Sequence, residues 1–216
     1  MFKVQKRTTL KGQAQNQIKE AIKSGWLKPG DRIVESKIAE DMGISRFPIR
    51  EAISSLESEG LLVTIPYKGT FVNKLNQKEL EELYSLRILL ETYAMKLFMK
   101  NVTKDKITEL ESILHDMKRG IDNNKMDLIT EDMRFHEKIC ELSGNGKLLE
   151  IWLALSRQIR IYLTVEQHSY ESVEHLVDTH RVILDAIKSG NSRTAQAKLK
   201  KNINNGLSRL KIYIMK

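Results

Sequence analysis

All three prolines of this chain (Pro29, Pro48 and Pro66) and six of its eleven glycines lie before Lys74. The remaining two-thirds has no proline at all. A proline inside a helix removes a backbone hydrogen bond and clashes with the preceding turn, at a cost of about 3 kcal/mol. The punctuated stretch must therefore be built from short elements and turns. The proline-free stretch, with apolar residues three and four apart, is open to long amphipathic helices. The chain reads as mainly α. A compact first domain spans 1–75, and an all-helical second domain spans 76–216, with the boundary at Lys74-Leu75-Asn76-Gln77. A length of 216 residues is enough for two small domains with real cores.

Within the first domain, Ala14, Ile18, Ala21 and Ile22 form a helical stripe ending at Ser24-Gly25, and Lys28-Pro29-Gly30-Asp31 reads as a turn. Ile38, Ala39 and Met42 mark a short helix that Gly43 closes as a C-cap. Ser45 is placed to cap the next helix, with Pro48 in its first turn, where a missing N–H costs little. Two helices joined by a tight glycine-containing turn make a helix-turn-helix. After Gly60, LLVTI and GTFV flank Pro66-Tyr67-Lys68-Gly69 and read as a hairpin. Helix, helix-turn-helix and hairpin, in that order, define a winged helix-turn-helix.

The charge supports a nucleic-acid partner. The net charge is +8, and residues 1–75 carry thirteen Lys and Arg against eight Asp and Glu, an excess of +5. The second helix of such a motif turns its N-terminal residues toward bases in the major groove. Arg46 and Arg50 stand there, and arginine is the side chain best matched to guanine O6/N7. The competing reading is that both pair with Glu51, Glu57 or Glu59 on a solvated face.

The second domain parses into six helices, about 78–101, 104–122, 125–143, 145–168, 171–190 and 192–214, packed as an antiparallel bundle. Polar residues inside their apolar stripes are the informative ones. Asp132 and His136 lie four apart among Leu128, Ile129, Phe135 and Ile139. His180 falls among Leu176, Val177, Ile183 and Leu184, and Asn202 among Leu199, Ile203 and Leu210. These four share an interior, and imidazole with carboxylate suits zinc, nickel or manganese. Each histidine alone could instead be a hydrogen-bonded core residue. Arg87 and Arg160 also fall on inward faces and need anionic partners: a core glutamate such as Glu91, or a carboxylate effector gripped bidentately.

The single cysteine, Cys140, excludes an intrachain disulfide and reads as a buried thiol of a cytoplasmic protein. The polar N-terminus MFKVQKRTT does not resemble a signal peptide, and no apolar run approaches a membrane span.

The segments IKEAIKSGWLKPGDRI, ESKIAEDMGISRFPIREAISSLESEGLL and YKGTFV together resemble the GntR-type winged-helix regulators. ELYSLRILLE, DMRFHEKICELSGN and HRVILDAIKSGN resemble the FadR-like subfamily with its all-helical effector domain. The resemblance implies a homodimeric transcription regulator that binds double-stranded operator DNA and a small effector, commonly an organic or sugar acid. It places DNA contacts on Ser45, Arg46, Arg50, Tyr67, Lys68 and Gly69, with Phe47 a departure where a small polar residue is usual. It implies an Asp-His-His-His metal set matched here by Asp132, His136 and His180, with Asn202 in the fourth position. His115, His168 and His175 match no ligand and read as surface residues. Two alternatives are a metal-dependent enzyme using Asp132, His136 and His180, and an architectural DNA binder with no effector. The enzyme lacks an accompanying catalytic motif. The architectural binder has no use for buried His, Asp and Arg.

Overall fold

A computed structural model describes residues 9–74, 76–122, 128–166 and 173–214. The chain divides into two compact units, Met1–Leu75 and Asn76–Lys216. In the first, Thr9 Oγ1 accepts a hydrogen bond from the Gly12 amide at 3.1 Å and starts α1, Leu10–Lys23. There follow β1 (Arg32–Ile33), α2 (Glu35–Met42), α3 (Arg46–Ser58), β2 (Leu62–Ile65) and β3 (Gly69–Val72). Gly43 ends α2 with φ 63°, a left-handed conformation that a side chain would strain by about 1 kcal/mol or more. The turn it makes sets the angle between α2 and α3.

Helix α3 packs on both α1 and α2. Its inward residues Ile49, Ala52, Ile53 and Leu56 meet Ala14, Ile18 and Ile22 in one buried core. Each fully buried aliphatic side chain stabilises this unit by about 1.5–3 kcal/mol. The hairpin expected after Gly60 is present, with Leu62 opposite Val72 and Ile65 opposite Gly69. A third strand, not foreseen, joins it: Arg32 pairs with Phe71, giving the order β1-β3-β2. Two residues after a Pro-Gly turn are too short a run to show alternation.

The second unit holds α4 (Gln77–Phe98), α5 (Lys104–Asp122), α6 (Leu128–Leu142), α7 (Gly146–Glu166), α8 (Val173–Lys188) and α9 (Ser192–Ile214). These match the six expected helices to within a few residues. The expected extensions over 125–127, 167–168 and 171–172, and His168, lie outside the described residues. Helix α4 packs on α6, α7 and α9, α5 on α6 and α8, and α8 on α9. The side chains of Trp152, Tyr84, Phe98, Phe135 and Met133 fill the interior. Cys140 is buried there, and burial pushes its thiol well above the ordinary range. No described helix is long and apolar enough to cross a membrane.

Candidate functional site

The first candidate surface is the start of α3 with the tip of the hairpin. Ser45 is the N-cap of α3 by backbone geometry, but its side chain makes no capping bond. The sequence had suggested one. Ser45, Arg46, Phe47 and Arg50 are all exposed, while Pro48 and Ile49 between them are buried. The first turn of α3 carries no acidic residue, so the positive end of its dipole stands beside two arginines. Arg50 Nε donates to Glu35 Oε2 at 2.8 Å, which raises the guanidinium further above its ordinary range. Its partner is thus on α2, not among Glu51, Glu57 and Glu59. Glu59 binds Lys19 at 2.6 Å. Arg46 has no ion-pair partner among the described residues.

At the hairpin tip, the Lys68 amide donates to the Ile65 carbonyl at 3.0 Å across Pro66-Tyr67. Tyr67 has φ 64°, a conformation usually left to glycine, and its ring projects fully into solvent. Lys68 is exposed beside it. Gly69 has φ 106°, and a Cβ there would come within 3.2 Å of the Arg32 guanidinium.

The second candidate site is the buried centre where α4, α6, α7, α8 and α9 supply side chains. Glu91, with no exposure, organises it. Its Oε1 accepts from Arg87 Nε at 2.8 Å and from Trp152 Nε1 at 2.8 Å. Its Oε2 lies 2.6 Å from His136 Nδ1. Burial by itself would raise the Glu91 carboxyl, but His136 and Arg87 outweigh it and hold it down to about 2. A carboxylate can only accept, so His136 Nδ1 carries the proton. His180 Nδ1 lies 2.8 Å from the Leu176 carbonyl oxygen and must donate likewise. In the neutral imidazoles both Nε2 atoms are then left with bare lone pairs.

Those lone pairs converge on Asp132. His180 Nε2 is 3.3 Å and His136 Nε2 3.9 Å from Asp132 Oδ1. Neither Nε2 makes a hydrogen bond, though both are fully buried. Burial works against ionisation of the Asp132 carboxyl, and the Arg87 guanidinium, with Nη2 3.9 Å from Oδ2, works for it; the net shift is downward. The ligand atoms of Asp132, His136 and His180 all lie within 4.8 Å of one another. Donors bound to one zinc ion at 2.0–2.2 Å stand roughly 3–4.5 Å apart. Two orphaned imidazole nitrogens and a carboxylate facing one point therefore fit a divalent cation. Glu91 and the Leu176 carbonyl fix the ring tautomers, as supports of metal-binding histidines do.

Asp132 lines a cavity of about 20 Å3, room for one water-sized group, with Tyr84, Arg87, Thr179, Asn202 and Arg209. Asn202 thus shares the interior expected for it. Arg87 lines the cavity while its Nε is held by Glu91, so the core-glutamate partner is realised. Burial would lower the Arg87 guanidinium, yet Glu91, Tyr84 and Asp132 more than offset this and keep it protonated. Arg160 is not among the lining residues; its Nη1 donates to Thr130 Oγ1 at 3.3 Å. Arg209 stands in the cavity instead, seven residues after Asn202 and so on the same helix face. That spacing was visible in the sequence. His175, expected on the surface, is exposed yet contributes to the cavity lining.

The fold is that of a winged helix-turn-helix regulator with an all-helical C-terminal domain. Residues 10–72 match the model of bacterial regulatory proteins of the gntR family, and residues 82–205 match the FCD domain. The chain belongs to the GntR family, and it is a transcriptional regulator, not an enzyme. It is 31% identical over 212 residues to an uncharacterized HTH-type transcriptional regulator, YdhC, of Bacillus subtilis, covering 97% of this chain and 95% of that one. It is 29% identical to a gluconate operon transcriptional repressor of Bacillus licheniformis, covering 80% of this chain and 73% of that one. The solved structure of Escherichia coli McbR/YncC superposes with a TM-score of 0.66 at 25% identity, covering 96% of this chain and 99% of that one.

Proposed function

We propose that the chain is a homodimeric regulator that reads one half-site of an approximately palindromic operator with each N-terminal unit. Its operator affinity is set by a small carboxylate effector bound beside a divalent metal in the C-terminal unit. The observation that carries the effector half is the pair of orphaned Nε2 atoms facing Asp132, a carboxylate that itself lines a cavity with Arg87 and Arg209. Asp132, His136 and His180 would hold the ion, with the Asn202 amide oxygen as a weaker fourth donor. The metal supplies Lewis acidity toward a carboxylate oxygen. The Arg87 Nη atoms and Arg209 orient the rest of the anion. The gluconate operon repressor among the relatives points the effector class toward sugar acids.

A cavity with room for one water-sized group does not hold an organic acid as it stands. The effector must bind better to an opened arrangement of α8 and α9, and that differential affinity is the source of the switch. The coupling is reciprocal, so operator DNA changes effector affinity by the same factor.

For the DNA half, Ser45, Arg46, Phe47, Arg50, Tyr67, Lys68 and Gly69 form the contact set. The test is a duplex selected from a random library by the full-length protein. Arg46→Ala should weaken that duplex at least about 30-fold, the loss of one good base contact of 1–3 kcal/mol in each of two half-sites. Fluorescence anisotropy reads this directly. Equal affinity of the variant removes Arg46 from the set.

For the dimer, α4 exposes Leu86, Leu89 and Tyr93, spaced three and four apart on one face. Leu89→Glu should convert the sedimentation mass from dimer to monomer. A wild-type monomer at micromolar concentration would sink this part of the reading.

A further inference from the structure

We propose that Phe47 reads the C5-methyl group of one thymine in each operator half-site. The inference rests on the operator-reading role proposed above for α3 and names what one of its residues recognises.

Phe47 occupies the second position of α3 and is 70% exposed. The residues after it explain why it cannot be a core residue. Pro48, Ile49, Ala52, Ile53 and Leu56 are buried and fix the rotation of the helix. Arg50, Glu51 and Ser54 lie three, four and seven positions on and are exposed with it. A benzyl group thus stands in water on a face that is otherwise polar, with Arg46 immediately before it.

That setting selects the partner. The exposed ring offers no donor or acceptor, so it cannot read guanine, adenine or cytosine by hydrogen bonds and cannot hold a phosphate. The one apolar feature among major-groove base edges is the thymine methyl. The first residues of a recognition helix are the ones turned toward those edges. Arg46 and Arg50 beside it favour a polyanion over an apolar protein surface. Burying a methyl group against the ring is worth a factor of about 3- to 10-fold in affinity.

The experiment uses the full-length protein and the duplex enriched from a random library. Each thymine is replaced in turn by deoxyuridine, which removes the methyl and keeps every hydrogen-bonding group. Wild-type protein should bind about 3- to 10-fold more weakly at one position and its symmetry mate. Phe47→Ala, which removes the ring from both half-sites, should weaken the thymine duplex by about the square of that factor, roughly 10- to 100-fold, and be indifferent to uracil at that position; this cycle isolates the ring–methyl contact. A flat uracil scan with wild-type protein overturns the proposal while leaving operator binding intact. So does a Phe47→Ala protein that still senses the methyl. If the library yields no enriched sequence, the operator-reading role fails too. The wild-type scan does not depend on how any variant folds.

Discussion

Replacing Glu91 by alanine is expected to lower the unfolding free energy of the C-terminal unit by about 3–5 kcal/mol, the usual consequence of removing one partner from a buried charge pair. Three buried donors lose their acceptor at once: Arg87 Nε, Trp152 Nε1 and His136 Nδ1. Bulk solvent reaches these donors poorly, because Glu91 and Trp152 are almost wholly buried and Arg87 is 3% exposed. A guanidinium left with only the more distant Asp132 carboxylate, 3.9 Å away, is the dominant cost. Urea unfolding followed by fluorescence separates the two units, since Trp152 is buried in the second and Trp26 is exposed in the first. Removing both charges together, Arg87→Met with Glu91→Leu, should cost much less than the sum of the single changes. A loss below about 1 kcal/mol for Glu91→Ala would show that the centre is wet or plastic, and that Glu91 does not organise it.

The same contacts mark where reading the sequence stops. The inward faces of α6, α8 and α9 follow from helical periodicity, so Asp132, His136, His180 and Asn202 could be placed toward one interior. Which atom faces which could not. The Glu91–His136 bond spans 45 residues and Glu91–Trp152 spans 61, and no periodicity carries a pairing between helices. The bonds that orient the two imidazoles, and so leave their Nε2 atoms orphaned, exist only in three dimensions. Arg160 and Arg209 make the point differently. Arg160 flanks a stripe with Trp152 and Ser156 but lies half-buried against Thr130. Arg209 shares a face with Asn202, which two helical turns of spacing would have shown. In the first unit, the winged helix-turn-helix was legible because turn chemistry is local: Gly43 and Pro66-Tyr67-Lys68-Gly69 announce their turns. The Arg50–Glu35 pair was missed because its acid sits on another helix. The two-residue strand Arg32–Ile33 was too short to announce itself.

The tag-free protein is expected to take up about one zinc, nickel or manganese ion per chain, measured by elemental mass spectrometry, and Asp132→Ala or His180→Ala should abolish it. The argument is electrostatic. A carboxylate and two imidazole nitrogens without hydrogen-bond partners lie within 4.8 Å of one another. Such a centre either captures a cation or must find a proton for one of its rings. Metal binding favours the folded state by RT ln(1 + [L]/Kd), about 2.7 kcal/mol at one hundred times Kd. For a unit of this size that raises the melting temperature by roughly 5–10 °C. The increment should vanish in both variants and be reversed by chelator in the wild type. Asn202 sets the strength. Its amide is a weaker donor than imidazole, so Asn202→His should tighten zinc binding. Asn202→Ala should weaken it less than loss of Asp132 does. Glu91→Gln, which keeps most of the volume but disturbs the His136 tautomer, should cost about 10- to 100-fold in metal affinity. If titration with all three ions leaves the melting temperature unmoved and no ion copurifies, His136, His180 and Asp132 are a polar core. Arg87 and Arg209 must then grip the effector without a metal's help.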